Sequence, residues 1–369
     1  MTPSPPPAAL DLFADVVDLT RVLCDIESVS GDEEGLADAI EASLRSLAHL
    51  EVLRDGDAVV ARTTLGRAER VVIAGHIDTV PLGRRPDGLP NLPTWGEGQG
   101  DSAVVHGRGT ADMKAGVAVQ LAVAARLTEP ARDVTWIFYD NEEVEAERNG
   151  LGRLQRNHPD WLAGEFAVLC EPTAGTVEGG CNGTMRVEVR VPGVAAHSAR
   201  AWTGVNAVHA AGHVLSRLTA YEPEEVEVEG LVYRECLNAV GIRGGVAGNV
   251  IPDECVVTVN YRFAPSKTAA DAEEHVRELF DGFEVTVTDA SPGARPGLDH
   301  PAAAAFVAVI GGDPQPKYGW TDVARFSAMG VPAVNFGPGD PLLAHKDDEQ
   351  CPVAQIRAAQ KVLTDWLTA

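Results

Sequence analysis

Seven residues of this chain carry side chains suited to holding metal ions and moving protons: His76 and Asp78 in "AGHIDTVP", Asp112 in "GRGTADMKAG", Glu142 and Glu143 in "FYDNEEV", Glu171 in "LCEPT" and His345 in "LAHKDDE". Two imidazoles and three carboxylates with no thiolate suit zinc or a similar divalent ion, and they exceed what one tetrahedral ion needs. Two ions are the count that fits. With Asp112 between them, each ion gains one His and one Glu, and two dications balance three carboxylates and one hydroxide. Paired ions sharing a water are an arrangement for hydrolysis, because they acidify the water and polarise the carbonyl under attack. On this reading His76, Asp112, Glu143, Glu171 and His345 are the metal ligands.

One glutamate is left over. Neighbouring side chains on a strand face opposite ways, so Glu142 and Glu143 are expected to do different work: Glu143 on metal, Glu142 as the general base that takes a proton from water and passes it to the leaving nitrogen. Asp78, two residues after His76 on the same strand face, is expected to accept the other N–H of that imidazole. Each residue alone has a plainer reading: a hydrogen-bonded core histidine, a solvated Glu-Glu pair, or an Asp112 that caps a helix starting near Met113. The whole ordered set, HxD, GxGxxD, DxEE, EPT and a late AH, is what points to a metal centre. "GRGTAD" departs from a dinucleotide turn at Asp112, where a carboxylate would face the pyrophosphate, so no nucleotide cofactor is expected. His209 and His213, one helical turn apart, read as a helix face.

The elements that must position these residues follow from hydrophobic patterning. Helical spacing from Leu10 to Leu47 is broken by "ESVSGDEEG", where Ser30 or Asp32 is placed to cap a second helix. Continuous apolar runs at 70–81, 134–140 and 166–173 read as strands covered on both faces, with an apolar helix at 115–127 between the first two. The chemical residues fall where these strands end, and in open parallel sheets those ends converge on the ligand crevice. After Gly180 the texture changes to alternating strands and amphipathic helices, an α+β pattern, and from about Pro292 the first texture returns. The expected organisation is one α/β domain with a mostly parallel sheet, over 1–178 and 291–369, interrupted by a smaller inserted domain over 179–290.

Composition narrows the partners. The formal net charge of -24 repels anionic polymers, so neither nucleic acid nor an anionic membrane is expected as a partner. No apolar run reaches the roughly 18 to 20 residues that span a bilayer. "MTPSPPPAAL" has neither the basic end nor the apolar core of an export signal, so a short disordered lead and a cytoplasmic protein are expected. The six cysteines lie far apart without a CxxC pair, the pattern of free thiols rather than of a disulfide framework.

At these residues the chain resembles the M20 family of co-catalytic metallopeptidases and deacylases, and within it the succinyl-diaminopimelate desuccinylases of the actinobacterial type. The likeness runs from about Asp18 to Trp366, and "AHSAR", "GGVAGNVIPD", "KYGWTDVARF" and "VNFGPGDPLLAHKDDE" add to the blocks already quoted. It implies a zinc-peptidase-like catalytic domain, two zinc ions or cobalt at one or both positions, and a homodimer formed through the inserted domain. It also implies that His197 stabilises the oxyanion in the partner subunit's site, and that the substrate is a small acylated amino acid, N-succinyl-L,L-diaminopimelate. Arginine forks suit its carboxylates, and Arg186, Arg262 and Arg325 lie in matching blocks, with Asn249 placed to add a hydrogen bond. Two departures stand out: Asn260 replaces the family's usual Asp before Arg262, and "YGWTDVARF" replaces "GGTSDARF". The alternatives are an acetylornithine deacetylase, a dipeptidase or a non-catalytic binding protein on the same scaffold.

Overall fold

The buried run Arg70–His76 lies inside a sheet with a strand on either side, as burial on both faces requires. The computed structural model describes residues 9–85 and 87–369, so residues 1–8 of the proline-rich lead lie outside the described residues. The chain parts into two compact units, the first made of Met1–Gly179, Gly297–Gln315 and Arg325–Ala369, the second of Gly180–Pro296 and Pro316–Ala324.

In the first unit the strand order is Glu51–Asp55, Ala58–Arg62, Asp133–Tyr139, Arg70–His76, Phe166–Leu169, Ala333–Asn335, Glu178–Gly179. The central pairings, from Asp133–Tyr139 through to Ala333–Asn335, are parallel. Those towards the two edges are antiparallel, including a hairpin at 51–62 that the sequence reading passed over. The helix Lys114–Arg126 is buried from Lys114 to Ala125, which explains why it has no polar face. Its buried charge is used internally: the Lys114 ammonium donates to the carbonyls of Leu23 and Ile26, closing the end of the helix Val16–Asp25. The next helix, Glu34–Arg45, has no side-chain cap, so neither Ser30 nor Asp32 plays the capping part expected of it.

The second unit carries an antiparallel sheet in the order Cys236–Gly244, Glu254–Phe263, Gly183–Pro192, Glu284–Ser291. Val187, Val189, Val257 and Val259 form its apolar face, and Ala207, Val214, Ala272 and Val276 from the helices cover it. The stretch 316–324, expected in the first domain, belongs to this unit, and so does 291–296. Its polar groups account for that: Asn182 N–H donates to the Lys317 carbonyl, the Cys181 thiol to the Thr321 carbonyl, and the Trp320 indole to the Pro292 carbonyl. All six cysteines are free thiols. Among the described residues, no helix is long and apolar enough to cross a membrane.

Candidate metal centre

Three adjacent parallel strands of the first unit end side by side: His76 stands opposite Tyr139, and Ala74 opposite Leu169. Their C-terminal ends deliver His76 and Asp78 from the middle strand, Glu142 and Glu143 from one neighbour, and Glu171 from the other. The chain leaving Ala333–Asn335 brings His345, after a short 3-10 turn at Pro341–Leu343. Asp112 arrives from the turn before the buried helix; that helix begins with Met113 at its cap and no side-chain capping bond, so the capping role open to Asp112 is not taken. Gly116 and Gly337 permit the close approach on the Glu171 side, since a Cβ at Gly116 would lie 2.2 Å from the Cys170 carbonyl oxygen and one at Gly337 would lie 2.6 Å from that of Glu171.

Ligand atoms of His76, Asp112 and Glu171 lie within 4.8 Å of one another, and so do those of Asp112, Glu143 and His345. Asp112 is common to both groups. Its Oδ1 is 3.1 Å from His76 Nε2 and its Oδ2 is 3.3 Å from His345 Nε2, while Glu143 Oε1 is 2.8 Å from the same His345 nitrogen. A third group within 4.8 Å joins His76, Glu142 and Glu143, which puts Glu142 beside the ligands and not on a remote surface.

The electrostatics fit a positively charged occupant. Burial alone would lower the His76 pKa, yet its hydrogen bonds to Asp112 and Asp78 raise it well above the usual histidine value. Hydrogen bonds to Asp112 and Glu143 push His345 up to about 10. Burial favours a protonated Asp112, but the hydrogen bonds from His345 and His76 outweigh it and hold this carboxyl well below its usual range. The carboxylates that stabilise positive charge here, beside two imidazoles that bind metal in their neutral form, suit a divalent ion, with its identity left open between zinc and its neighbours.

Asp78 departs from its expected geometry. The strand stops at His76, and His76 Nδ1 lies 3.0 Å from the Asp78 backbone carbonyl and 3.4 Å from its carboxylate. Besides facing His76, the carboxylate gathers the N–H groups of Glu142 (3.0 Å) and Glu143 (3.1 Å) and the Ser30 hydroxyl (2.7 Å). Burial would raise the Asp78 pKa, but these donors and His76 hold it below the ordinary value. The two glutamates are not on a strand either: the strand ends at Tyr139, and Asn141 turns the chain at φ 56°. Loop geometry replaces strand alternation, and it brings a carboxylate oxygen of each within 4.8 Å of the other and of His76, so the two side chains do not face opposite ways. Glu33 fixes that turn by accepting the Asn141 N–H at 3.1 Å. Ser30 was read only as a candidate helix cap and Glu33 was not singled out; the serine-rich break before the helix was the available signal.

The second unit holds the other candidates. Arg186 and Arg262 sit on neighbouring strands, Arg186 opposite Asn260, and Arg262 Nε donates to Asn260 Oδ1 at 3.2 Å. Asn260, which departs from the family pattern, thus still meets Arg262 through its amide oxygen. Burial, aided by the nearby Arg186 charge, lowers the Arg262 pKa. His197 pairs with Val250, and the next residue's N–H donates to the Asn249 carbonyl, so His197 and Asn249 stand together. His197 Nδ1 accepts the Ala199 N–H at 3.0 Å, which leaves Nε2 as the protonated nitrogen of the neutral ring. Arg325, in the first unit, lies against Gly152 and reaches the Ala146 carbonyl at 3.5 Å, just beyond the Glu142–Glu143 loop.

A protein of Mycobacterium tuberculosis that carries the provisional name succinyl-diaminopimelate desuccinylase is 52% identical over 361 residues, covering 97% of this chain and 99% of the relative. The succinyl-diaminopimelate desuccinylase of Corynebacterium glutamicum is 46% identical over 370 residues, covering 97% and 98%. A tripeptidase of Staphylococcus aureus shares the fold with a TM-score of 0.77 at 19% identity, over 96% of this chain and 97% of that one. A Bacillus subtilis protein described as a dinuclear metal-binding peptidase of family M20 does so at 0.69 and 17%, over 97% and 98%. Residues 72–369 match the profile of peptidase family M20/M25/M40, a range that includes every candidate ligand from His76 to His345, and the chain belongs to that family.

Proposed function

We propose that this chain is a dinuclear metal-dependent amidohydrolase that cleaves N-succinyl-L,L-diaminopimelate to succinate and L,L-diaminopimelate, acting in the cytoplasm as a homodimer. The observation that carries the reading is Asp112, shared between two ligand groups that each add one His and one Glu. The names of relatives at 52% and 46% identity support the substrate. Exposed Val240 and Ile242 on the edge strand Cys236–Gly244 support pairing with a second copy.

In this mechanism His76, Asp112 and Glu171 would hold one divalent ion, and Asp112, Glu143 and His345 would hold the other. Bound zinc or cobalt supplies Lewis-acid polarisation of the amide carbonyl and lowers the pKa of the attacking water. Glu142 takes the proton from that water and carries it to the leaving nitrogen. Asp78 keeps the Glu142 backbone in place throughout. Arg186 and Arg262 supply paired cationic forks for substrate carboxylates, with Arg325 and Asn249 as further contacts. His197, through its Nε2–H, donates to the oxyanion of the partner subunit's site.

The test is the rate of amide hydrolysis by protein loaded with two equivalents of zinc, measured on N-succinyl-L,L-diaminopimelate beside N-acetylornithine and a dipeptide. Preference for the succinyl substrate supports the whole reading. Preference for another keeps the chemistry and discards the substrate, and metal uptake without hydrolysis of any of the three favours a binding protein.

A further inference from the structure

Four residues beyond His345 lies Glu349, and 241 positions before Glu349 lies Arg108; neither belongs to the ligand set, yet the two form a buried ion pair at 2.7 Å with side chains 4% and 0% exposed. We propose that Arg108 and Glu349 are positioning residues that lock the Asp112 carboxylate between the two metal positions. The proposal rests on the dinuclear reading and adds to it the device that sets where the shared ligand stands.

The carboxylate divides its work. Glu349 Oε2 takes the Arg108 guanidinium, while Oε1 accepts both the Ala111 N–H at 2.9 Å and the Asp112 N–H at 3.1 Å. One oxygen therefore fixes the orientation of two successive peptide groups, and with them the direction in which the Asp112 side chain leaves the backbone. Arg108 spreads the same constraint to two other ligand-bearing segments. Its Nε donates to the Pro81 carbonyl at 3.2 Å, in the segment after His76 and Asp78, and its Nη1 to the Lys346 carbonyl at 3.3 Å, next to His345. The Gly107 N–H donates to the Glu349 carbonyl at 3.0 Å, which completes the tie. The segments carrying His76, Asp112 and His345 are thus held from behind by one ion pair. Groups that orient metal ligands in this way are worth roughly 10- to 100-fold in metal affinity.

A buried ion pair can also be simple scaffolding, since removing one partner strands a charge whatever the pair's task. Metal binding separates the two roles. The experiment compares wild type, Glu349→Gln and Glu349→Leu, with Glu235→Gln as a control. Glu235 is a fully buried carboxylate paired with Lys267 at 2.8 Å in the second unit. The readouts are stepwise Co2+ affinity by calorimetry, the visible spectrum of the cobalt-loaded protein and the melting temperature without metal. Glu349→Gln keeps an acceptor for the two N–H groups but loses the ion pair, and should bind cobalt about tenfold more weakly. Glu349→Leu loses both, and should bind about 100-fold more weakly with an altered spectrum. Glu235→Gln should lower the melting temperature without changing affinity or spectrum. Wild-type cobalt affinity and spectrum in Glu349→Leu would overturn the proposal, however far its melting temperature falls. If that variant does not fold, Glu349→Gln decides, and unchanged affinity in it overturns the proposal equally. A wild type that takes up fewer than two cobalt ions would instead sink the dinuclear reading, so the two failures are distinguishable.

Discussion

Asp78 holds Glu142 by its backbone: the Asp78 Oδ1 accepts the Glu142 N–H at 3.0 Å, and its second oxygen accepts the Glu143 N–H at 3.1 Å. One carboxylate therefore positions both the proposed base and a proposed ligand, while the backbone carbonyl of the same residue lies 3.0 Å from His76 Nδ1. An amide at this position can accept only one of the two N–H groups and turns a donor towards the other. Asp78→Asn should keep the fold but lower both kcat and metal affinity, each by about 10- to 100-fold. Kinetics and metal titration on the same preparation check it, and a change in metal affinity alone would remove Asp78 from the positioning of Glu142.

Glu142 and Glu143 lie next to each other, so the pair tests the division of labour directly. Glu142→Gln should reduce kcat by roughly 10²- to 10⁴-fold, the range of general acid–base catalysis, at unchanged metal stoichiometry. Glu143→Gln should lose metal, because its carboxylate stands 2.8 Å from His345 in one ligand group. Elemental analysis beside turnover decides it. Metal loss in Glu142→Gln with retention in Glu143→Gln would mean the roles are reversed.

The clustering of the candidate ligands was legible because their residue types are costly to bury unpaired and stand where apolar strands end. The strands themselves were legible from continuous apolar runs, and the second unit from alternation along "TMRVEVRVPG", which the structure buries at every other residue. What escaped was set by backbone turns and by distance in sequence. No local pattern announces that Asn141 takes a positive φ and moves the two glutamates off the strand. Nor does any periodicity connect Arg108 to Glu349, or place Lys317 against Asn182. Ser30 was misread because a serine before a helix usually caps it, whereas this one donates to Asp78 instead.

Away from the site, Asp133 governs part of the acid stability. It is buried at the start of a central strand, and burial raises its pKa, but the Leu65 N–H, the Thr63 hydroxyl and the Arg67 N–H outweigh that and hold it below the ordinary value. A carboxyl depressed in the folded state contributes stability that is full above the unfolded value of about 3.9 and disappears as pH falls through the folded one. Asp133→Asn should therefore cost about 1–3 kcal/mol at pH 7, and the gap to wild type should close below about pH 4. Urea unfolding across that range checks the sign. A gap that stays constant to low pH would place the effect in packing and not in the carboxylate charge.

The His197 assignment makes the sharpest demand, because it requires two copies of the chain. His197 is exposed, and its Nδ1 is occupied by the Ala199 N–H, so the neutral ring presents Nε2–H outward as a donor. Removing one donor to a developing oxyanion costs about 10²- to 10³-fold in kcat, and His197→Ala should fall by that much at unchanged metal content. If the donor acts in the partner's site, His197→Ala and Glu142→Gln are complementary. A mixed dimer contains one site with an intact Glu142 from one chain and an intact His197 from the other. Random exchange of two nearly inactive variants should then restore about a quarter of the wild-type activity, half the dimers being mixed and half their sites complete. No recovery on mixing, with subunit exchange verified, would mean that His197 serves its own chain's site or none.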